Sequence, residues 1–378
     1  MPLRVGLNLI FLGERAGGAG RYARELPGAL LAAEPATEVH VFVSRDAPAD
    51  LREEPWAGGV RWSTVPITMH GPPLHVPAEY LALPALAAAR GLQVLHSPAN
   101  TGPAITPGLA SVVSVLDLIW LHRSQEWEAD PRVHRTMLRR VRGAVRRADR
   151  IFAISQAAAE DLAATLGLAR ERIDVTPLGA RPASAAPMPE GELRAALELA
   201  DARVVLCVAQ KRPYKNLRRL VQALPALDRD VVLVLPGSPT AYETELRTLA
   251  RELHVEQRVR FVDWLSDEQL EGLYALSSVF VLPSLIEGFG LPVIEAMLRG
   301  VPVACSNAAA VAEVAGDAAL TFDPERQEEI DGAIRRLLDD RDLAARLAAR
   351  GRERARAFTW RRTGELSLAG YRRALERR

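Results

Sequence analysis

The sequence predicts an α/β protein with two doubly wound parallel sheets. Short apolar segments rich in branched residues alternate with longer segments of helical period, which is typical of strand–helix–strand units. A proline-rich stretch interrupts this pattern near the middle of the chain, and the pattern then restarts. A length of 378 residues suits two domains, each large enough to bury its own core.

Charge and composition exclude two classes of protein. The chain has 48 basic and 47 acidic residues, and 48% of its residues are hydrophobic. A general nucleic-acid-binding protein needs a basic excess, and a disordered chain has a lower apolar fraction. We therefore expect a globular protein that does not bind nucleic acid.

The two cysteines and the first residues indicate a cytoplasmic protein. Cys207 and Cys305 lie inside apolar runs, where we expect buried free thiols in a reducing compartment. The first residues lack the pattern of a signal peptide, and no window holds 18 charge-poor apolar residues. No spacing of zinc ligands occurs in the sequence, so we expect no metal site.

The predicted elements are divided between two domains. The first-half strands span residues 4–8, 39–43, 94–96, 111–116 and 150–154, with main helices at 21–33, 131–148 and 156–166. Residues 181–190 contain three prolines without any period, which indicates a linker. The second-half strands span residues 204–208, 231–236, 259–262, 279–282 and 301–305. Parallel sheets bind ligands at the carboxyl ends of their strands, so we expect a cleft between the domains and functional residues in the loops after strands.

The segment 283–300 combines glycines with a helix start. Pro292 suits a first helical position and Gly300 suits the residue past the end, which predicts a helix over 292–299. Gly288 and Gly290 precede this helix, and main-chain N–H groups at a helix N-terminus bind phosphate. Acidic residues flank the turn at positions 287 and 295, where they would accept hydrogen bonds from sugar or ribose hydroxyls. The alternative is an ordinary strand-to-helix turn with a solvated glutamate at each end.

Both lysines of the chain occur in one loop after a predicted strand. Of the 48 basic residues, only Lys211 and Lys215 are lysines, and Arg212 lies between them. Three cations at the carboxyl edge of a sheet repel one another unless an anion lies among them. A diphosphate would fit, and the alternative is a solvent-exposed basic turn.

Several motifs resemble the family-4, retaining, GT-B-fold glycosyltransferases. The segment Glu-Gly-Phe-Gly-Leu-Pro-x-x-Glu at 287–295, Pro283-Ser284 and Lys215-Asn216-Leu217 resemble the donor-binding half of that family. Further matching segments extend the resemblance over nearly the whole chain, at 154–155, 176–179, 262–270, 313–319 and 358–360.

The resemblance implies an enzyme that transfers a hexosyl group from a nucleoside diphosphate sugar to a hydroxyl acceptor with retention of configuration. Mannosyl or glucosyl transfer is favoured, no metal or other cofactor is expected, and the acceptor would be a carbohydrate, a glycolipid or a small molecule. The implied fold has a Rossmann-like acceptor-side domain at 1–182, a Rossmann-like donor domain at 183–360, and a helix at 361–378 that returns to the N-terminal domain.

The resemblance also assigns donor-site residues. Glu295 would bind the ribose and Glu287 a hydroxyl of the donor sugar. Lys215 would pair with the diphosphate, with either Arg212 or Lys211 as its partner. The main chain around the sugar, diphosphate and nucleobase would come from Gly288, Phe289, Gly290, Leu291, Val262 and Asp263.

The first half would supply the acceptor side. Gly17, Gly18 and Gly20 resemble the family's glycine loop, in which Gly18 faces the diphosphate and the others leave room for the acceptor. The family has a histidine where this chain has Leu116, followed by Asp117. Either Asp117 takes over the polar role together with His122 or His96, or the protein is an impaired nucleotide-sugar-binding subunit. His96 and Asn100 follow a strand and are placed near the cleft, although His96 is equally well explained as a core histidine.

Two questions stay open at this point. The predicted helix at 131–148 is rich in arginine, so it either meets an anionic membrane at the inner face or is a surface helix docked through its apolar face. Besides the impaired binding subunit, a sugar epimerase or phosphorylase of the same architecture is an alternative to transfer.

Overall fold

The computed structural model describes residues 2–13, 17–68, 78–103, 105–126, 131–182 and 185–378. The chain forms two compact units. Unit 1 contains Met1–Gly179 and Thr359–Arg378, and unit 2 contains Ala180–Phe358. The C-terminal segment therefore belongs to the unit formed by the first half of the chain. Residues 183–184 of the predicted linker lie outside the described residues.

Unit 1 contains a seven-stranded parallel sheet in the order β3-β2-β1-β4-β5-β6-β7. Its strands are β1 Arg4–Leu9, β2 Glu38–Val43, β3 Arg61–Thr64, β4 Val94–Ser97, β5 Ala110–Ser114, β6 Arg150–Ala153 and β7 Ile173–Val175. Its first helices are α1 Gly18–Ala33, α2 Leu83–Ala89, α3 Ile119–His122, α4 Pro131–Arg147 and α5 Gln156–Leu166. The two edge strands, β3 and β7, were not predicted, because they are short and lack a run of buried apolar residues.

Unit 2 contains a six-stranded parallel sheet in the order β10-β9-β8-β11-β12-β13. Its strands are β8 Arg203–Leu206, β9 Val231–Pro236, β10 Val259–Val262, β11 Ser277–Leu282, β12 Val303–Ser306 and β13 Leu320–Phe322. Its helices are α6 Glu190–Ala196, α7 Leu217–Ala223, α8 Ala241–Glu252, α9 Asp267–Leu276, α10 Leu291–Leu298, α11 Ala309–Ala315, α12 Gln327–Asp339 and α13 Arg341–Ala355. The edge strand β13 was again missed by the sequence analysis.

The last helix, α14 Trp360–Glu376, completes unit 1. Gly364 permits its close approach to α1, since a Cβ at this position would lie 2.1 Å from the carbonyl oxygen of Ala29. Tyr371 is fully buried and stacks against Phe152 of β6 with ring centroids 5.6 Å apart. The core of unit 1 therefore includes side chains from both ends of the sequence.

The strand order determines where each sheet can bind a ligand. In both sheets the order reverses next to the first strand of the unit, between β1 and β4 and between β8 and β11. Ligands of doubly wound sheets bind in the crevice outside the carboxyl ends of the strands at this switch point. The predicted fold class is confirmed, and each unit has one such position.

The apolar character of the strands agrees with burial on both faces of each sheet. All six residues of β9 are buried. Cys207 and Cys305 are free and buried, as predicted. Burial raises the pKa of each thiol to about 12, so both remain protonated. None of the helices among the described residues is both long and apolar enough to cross a membrane.

Candidate functional site

The loops after β8 and β11 meet at the switch point of the second sheet. The backbone N–H of Leu285 donates to the carbonyl of Tyr214 at 2.9 Å. Asn216 has a left-handed backbone with φ of 58°, and its side-chain amide donates to the carbonyls of Pro283 at 3.1 Å and Pro324 at 2.8 Å. Asn216 thus fixes the loop that carries Lys215.

Lys215 and Glu287 form an ion pair across these two loops. The Lys215 Nζ lies 2.6 Å from Glu287 Oε1, and the Ser284 hydroxyl donates to the same oxygen at 2.7 Å. The two side chains are 15% and 10% exposed. Burial acts to lower the pKa of Lys215, but the Glu287 carboxylate and neighbouring groups raise it above its ordinary value. The ammonium therefore stays charged.

Lys211 has a structural position that corrects the prediction of a donor contact. It is 1% exposed, and its Nζ donates to the carbonyls of Gly237 and of Val262, the latter at 2.9 Å. The carboxylate of Glu243 lies 3.3 Å from the same ammonium. Burial lowers the pKa of Lys211. Lys211 thus connects the loop after β8 to the ends of β9 and β10.

The anions expected among the loop cations are carboxylates of the protein itself. Glu243 neutralises Lys211, and Glu287 neutralises Lys215. The mutual repulsion of these cations therefore does not require a bound diphosphate. Arg212 is half-buried in the same loop, and it remains the candidate cation beside Lys215.

The glycine turn begins helix α10 as expected from its sequence. The helix spans Leu291–Leu298, one residue earlier than predicted, with Pro292 in its first turn. Gly290 adopts φ of 107° at the N-cap, and Gly300 adopts φ of 72° past the end. No side chain in the described part of the chain caps α10. Main-chain N–H groups of its first turn thus form a candidate anion site.

The residues around this turn are packed. Gly288 and Gly290 are buried, and Leu291 is half-buried. Phe289 is 3% exposed and packs edge-on against Phe358, with ring centroids 5.8 Å apart. Its aromatic side chain therefore anchors the turn, which leaves the main chain as the part able to contact a ligand.

Glu295 lies one turn into α10 and is 3% exposed. The Tyr274 hydroxyl donates to its Oε2 at 3.3 Å. Neither Glu295 nor Glu287 is solvated, so the alternative of an ordinary turn with two exposed glutamates is excluded. The binding of a ribose by Glu295 remains a prediction.

The end of β10 was predicted to contact the nucleobase. The carbonyl of Val262 already accepts from Lys211 and from the backbone N–H of Gly237 at 3.1 Å. Asp263 is exposed, and the next residue, Trp264, is 66% exposed. Trp264 is not predictable as a site residue from the sequence, because only the structure distinguishes an exposed tryptophan from a core one.

The predicted glycine loop of the first half is partly helical. Helix α1 begins at Gly18, with Gly17 as its N-cap, so Gly18 and Gly20 belong to its first turn. Glycine is tolerated in this first turn, although in the sequence it indicates a loop. The residues immediately before Gly17, at 14–16, lie outside the described residues.

His96 is a core histidine and not a cleft residue. Its ring is fully buried, with Nδ1 2.7 Å from the Tyr371 hydroxyl and Nε2 2.8 Å from the Ser114 hydroxyl. Ser114 in turn lies 3.0 Å from the Tyr22 hydroxyl. Burial lowers the pKa of His96 to about 3, so the ring is neutral.

Asp117 and His122 have separate partners. Asp117 Oδ1 accepts the backbone N–H of Ile119, the first residue of α3, at 3.1 Å. His122 Nε2 lies 2.8 Å from Asp161 on α5. Leu116, at the position where the family has a histidine, is buried. A polar role of Asp117 or His122 in place of that histidine stays a prediction.

Asn100 lines a cavity at the switch point of the first sheet. It adopts φ of 50°, and its Oδ1 accepts the backbone N–H of Leu116 at 3.0 Å. Glu79 and Arg140 line the same cavity. Neither residue is predictable from the sequence: Arg140 is one of many arginines in its helix, and no local pattern distinguishes Glu79.

The two halves of the chain match two family models. Residues 190–354 match Glycosyl transferases group 1, and residues 16–183 match Glycosyltransferase Family 4. O-antigen chain mannosyltransferase B of Escherichia coli is 37% identical over 167 residues, which are 43% of this chain and 44% of that protein. MMP alpha-(1->4)-mannosyltransferase of Mycolicibacterium hassiacum is 32% identical over 238 residues, 60% of this chain and 54% of that protein. The chain thus matches about half the length of these curated relatives.

A solved structure supports the fold. Sucrose-phosphate synthase from Thermosynechococcus elongatus superposes with a TM-score of 0.76 at 24% identity, covering 98% of each chain. At this identity the likeness concerns the fold alone. The family resemblance inferred from the motifs is confirmed by the models, which between them match most of both halves. The chain belongs to the family-4, group 1 glycosyltransferases of the GT-B fold.

Proposed function

We propose that this protein transfers a hexosyl group, mannosyl being favoured, from a nucleoside diphosphate sugar to a hydroxyl acceptor with retention of configuration. The observation that carries the proposal is the Lys215–Glu287–Ser284 cluster at the switch point of the second sheet, together with the uncapped start of α10. The family and the mannosyltransferase names of the two relatives support the class of reaction.

The cluster suits a reaction in which a diphosphate departs. As the bond from the sugar to the diphosphate breaks, positive charge develops on the ring and negative charge on the leaving group. Lys215, Arg212 and the N–H groups of α10 are the donors that we assign to that negative charge. Preorganised donors of this kind contribute about 3–4 kcal/mol each in other enzymes.

Glu287 has two roles in this proposal. It keeps Lys215 charged and oriented through Oε1, and its Oε2 accepts a hydrogen bond from a hydroxyl of the donor sugar. Following the family resemblance, the acceptor oxygen bonds to the sugar on the face from which the diphosphate leaves. The acceptor proton passes to the departing phosphate oxygen, so no side chain is assigned as a general base.

Incubation with donors and acceptors tests the proposal. GDP-mannose and UDP-glucose are first screened by thermal shift, because a ligand that binds the folded state raises the Tm. The bound donor is then incubated with sugar acceptors, and the anomeric configuration of the product is determined by NMR. We expect a retained glycoside, with unchanged rates after treatment with EDTA.

The same assay distinguishes the alternatives. An impaired binding subunit would bind the donor without transfer or slow hydrolysis. An epimerase or a phosphorylase would change the donor without forming a glycoside. Loss of activity in EDTA, restored by Mg²⁺, would contradict the metal-independent mechanism.

Peripheral membrane contact is a second part of the proposal. Helix α4 buries Val141, Ala144 and Val145 in its second half, so that half packs on unit 1 and only the first half is proposed to meet a membrane. Its first half exposes Val133 at 57%, with Arg132 and Arg135 exposed beside it in sequence. Each basic residue near an anionic membrane contributes about 1 kcal/mol. We expect co-sedimentation with phosphatidylglycerol vesicles but not with phosphatidylcholine vesicles, and equal sedimentation with both would contradict it.

A further inference from the structure

A cavity of about 250 Å³ lies at the carboxyl ends of β1 and β4. This is the switch point of the first sheet, the position where doubly wound sheets bind ligands. Its volume falls just below the usual range of about 300–1,000 Å³ for small-molecule sites, so it suits one sugar ring and not two. Its polar lining includes Asn8, Glu79, Ser97, Asn100, Thr101 and Arg140.

Glu79 is at the centre of the polar lining. It is 5% exposed, and its Oε1 accepts from the Asn8 amide at 3.2 Å and from the Thr101 hydroxyl at 3.3 Å. Its Oε2 accepts from Arg140 Nη2 at 2.7 Å. The Asn8 amide also donates to the Ser97 hydroxyl at 3.0 Å. The carboxylate is therefore fixed in place by three donors on three different segments.

The Glu79–Arg140 pair sets the charge of the cavity. These are the two charged side chains among the described residues that line it, so their charges cancel. The Nε of Arg140 is buried and has no hydrogen-bond partner among the described residues. A buried donor without a hydrogen bond lowers the free energy of unfolding, and a ligand oxygen that accepted from it would remove this cost. A buried ion pair contributes little net stability, so stability alone does not account for this pair.

The remaining lining is apolar. Ile10, Phe11 and Met137 contribute hydrocarbon surface to the same cavity. A pyranose ring has the matching combination, because its C–H groups pack on apolar side chains while its hydroxyls both donate and accept hydrogen bonds. A phosphate group matches poorly, since the Glu79 carboxylate repels it and the charge of Arg140 is already compensated.

We propose that this cavity binds the acceptor through one uncharged sugar ring, and that the Glu79–Arg140 pair selects against anionic acceptors. Glu79 accepts from ring hydroxyls, and Arg140 donates to a ring oxygen. The inference rests on the proposed function, because it identifies the class of acceptor for that transfer. Glu79 and Arg140 are specificity residues and take no part in breaking the donor bond.

The test compares an uncharged and an anionic ligand on matched variants. Dissociation constants of methyl α-mannoside and mannose 6-phosphate are measured by ligand-observed NMR on the whole protein saturated with GDP or UDP. Glu79→Gln keeps the shape of the side chain and removes its charge. The control is Glu160→Gln, at an exposed position on α5.

We expect the wild-type protein and Glu160→Gln to prefer methyl α-mannoside. In Glu79→Gln the ratio of the two dissociation constants should shift at least tenfold towards mannose 6-phosphate, because Arg140 is then uncompensated. An unchanged ratio in a Glu79→Gln protein with wild-type circular dichroism and Tm would overturn the proposal, and so would a wild-type preference for the phosphate.

Two further measurements keep the test decisive. If Glu79→Gln does not fold, Thr101→Val removes one donor to the carboxylate, and it should weaken methyl α-mannoside binding severalfold; unchanged binding would overturn the proposal. Nucleotide thermal shift and slow donor hydrolysis are recorded on the same samples. Their absence from the wild-type protein counts against the proposed function, whereas their presence with an unaltered sugar preference counts against this inference alone.

Discussion

The Nζ of Lys215 lies 2.6 Å from Oε1 of Glu287, and this ion pair connects the loops that follow two neighbouring strands, β8 and β11. From the sequence alone, the two residues are expected to bind different parts of the donor. The structure makes them partners of each other, since both side chains are largely buried. Substitution of either residue should therefore affect catalysis and stability together.

Substitution of Lys215 should reduce turnover strongly. We expect Lys215→Ala to lower kcat about 10²–10³-fold, by analogy with the removal of one oxyanion donor. It also leaves Glu287 buried without its cation, which costs up to about 3–5 kcal/mol of the free energy of unfolding. Steady-state kinetics and urea denaturation measure the two effects. Arg251→Ala, at an exposed position on α8, is the control, and near-wild-type turnover in Lys215→Ala would refute the assignment.

Substitution of Glu295 should weaken nucleotide binding more than it slows turnover at saturation. Glu295→Gln keeps the contact geometry with Tyr274 but removes the charged acceptor assigned to the ribose. A hydrogen bond to a charged group contributes about 1.5–3 kcal/mol, so we expect an increase of about tenfold or more in Kd. Isothermal titration with GDP and UDP measures it. An unaltered Kd would place the ribose elsewhere.

Acid should destabilise unit 1 through His96. Burial lowers the pKa of its ring to about 3, while the unfolded chain titrates near its ordinary value of 6.5. Between these values the unfolded state binds the extra proton, so stability falls as the pH decreases from about 6.5, by up to ~1.4 kcal/mol per pH unit.

Comparison of two histidine variants isolates this contribution. Urea denaturation at several pH values should give a shallower pH dependence for His96→Gln than for the wild-type protein. His254→Gln, at an exposed position, should retain the wild-type dependence. Equal slopes in all three proteins would contradict the burial of a neutral histidine.

The packing of α14 is tested by one glycine. A Cβ at Gly364 would lie 2.1 Å from the carbonyl oxygen of Ala29, so Gly364→Ala must displace backbone. We expect a loss of roughly 1–3 kcal/mol or more in the free energy of unfolding, as for other overpacked sites. Gly332→Ala is the matched control, because that helical glycine has open space around its Cβ position. At position 332 alanine should be neutral or stabilising by up to about 1 kcal/mol. Similar Tm values for the two variants would contradict the close packing of α14 on α1.

Elements with strong local signals were predictable from the sequence. Pro292 and Gly300 located α10 to within one residue, because the first-turn and C-terminal preferences of proline and glycine are local properties. The edge strand β3 was missed because its four residues are half-buried or exposed and carry no apolar run. Glycine indicated a loop before α1, whereas Gly18 and Gly20 are tolerated in the first helical turn.

Partners distant in sequence were not predictable. The sequence predicts that the two lysines of one loop form a single cationic group. In the structure Glu243 neutralises Lys211, and Glu287 neutralises Lys215. Only the sheet topology brings those carboxylates to the loop. The same holds for Glu79 and Arg140, which form an ion pair although they lie 61 positions apart in the sequence.

The position of α14 has a consequence for biosynthesis. Residues 360–376 are translated only after all of unit 2, yet they contribute Tyr371 to the interior of unit 1 and bond its hydroxyl to His96. The usual N-terminal-first order of maturation on the ribosome is therefore reversed, with unit 2 free to reach its native state while unit 1 still awaits its final helix. Until then the residues of α1 that pack against α14, Ala29 among them, are uncovered, and we expect chains stalled in this interval to be the form most prone to chaperone capture.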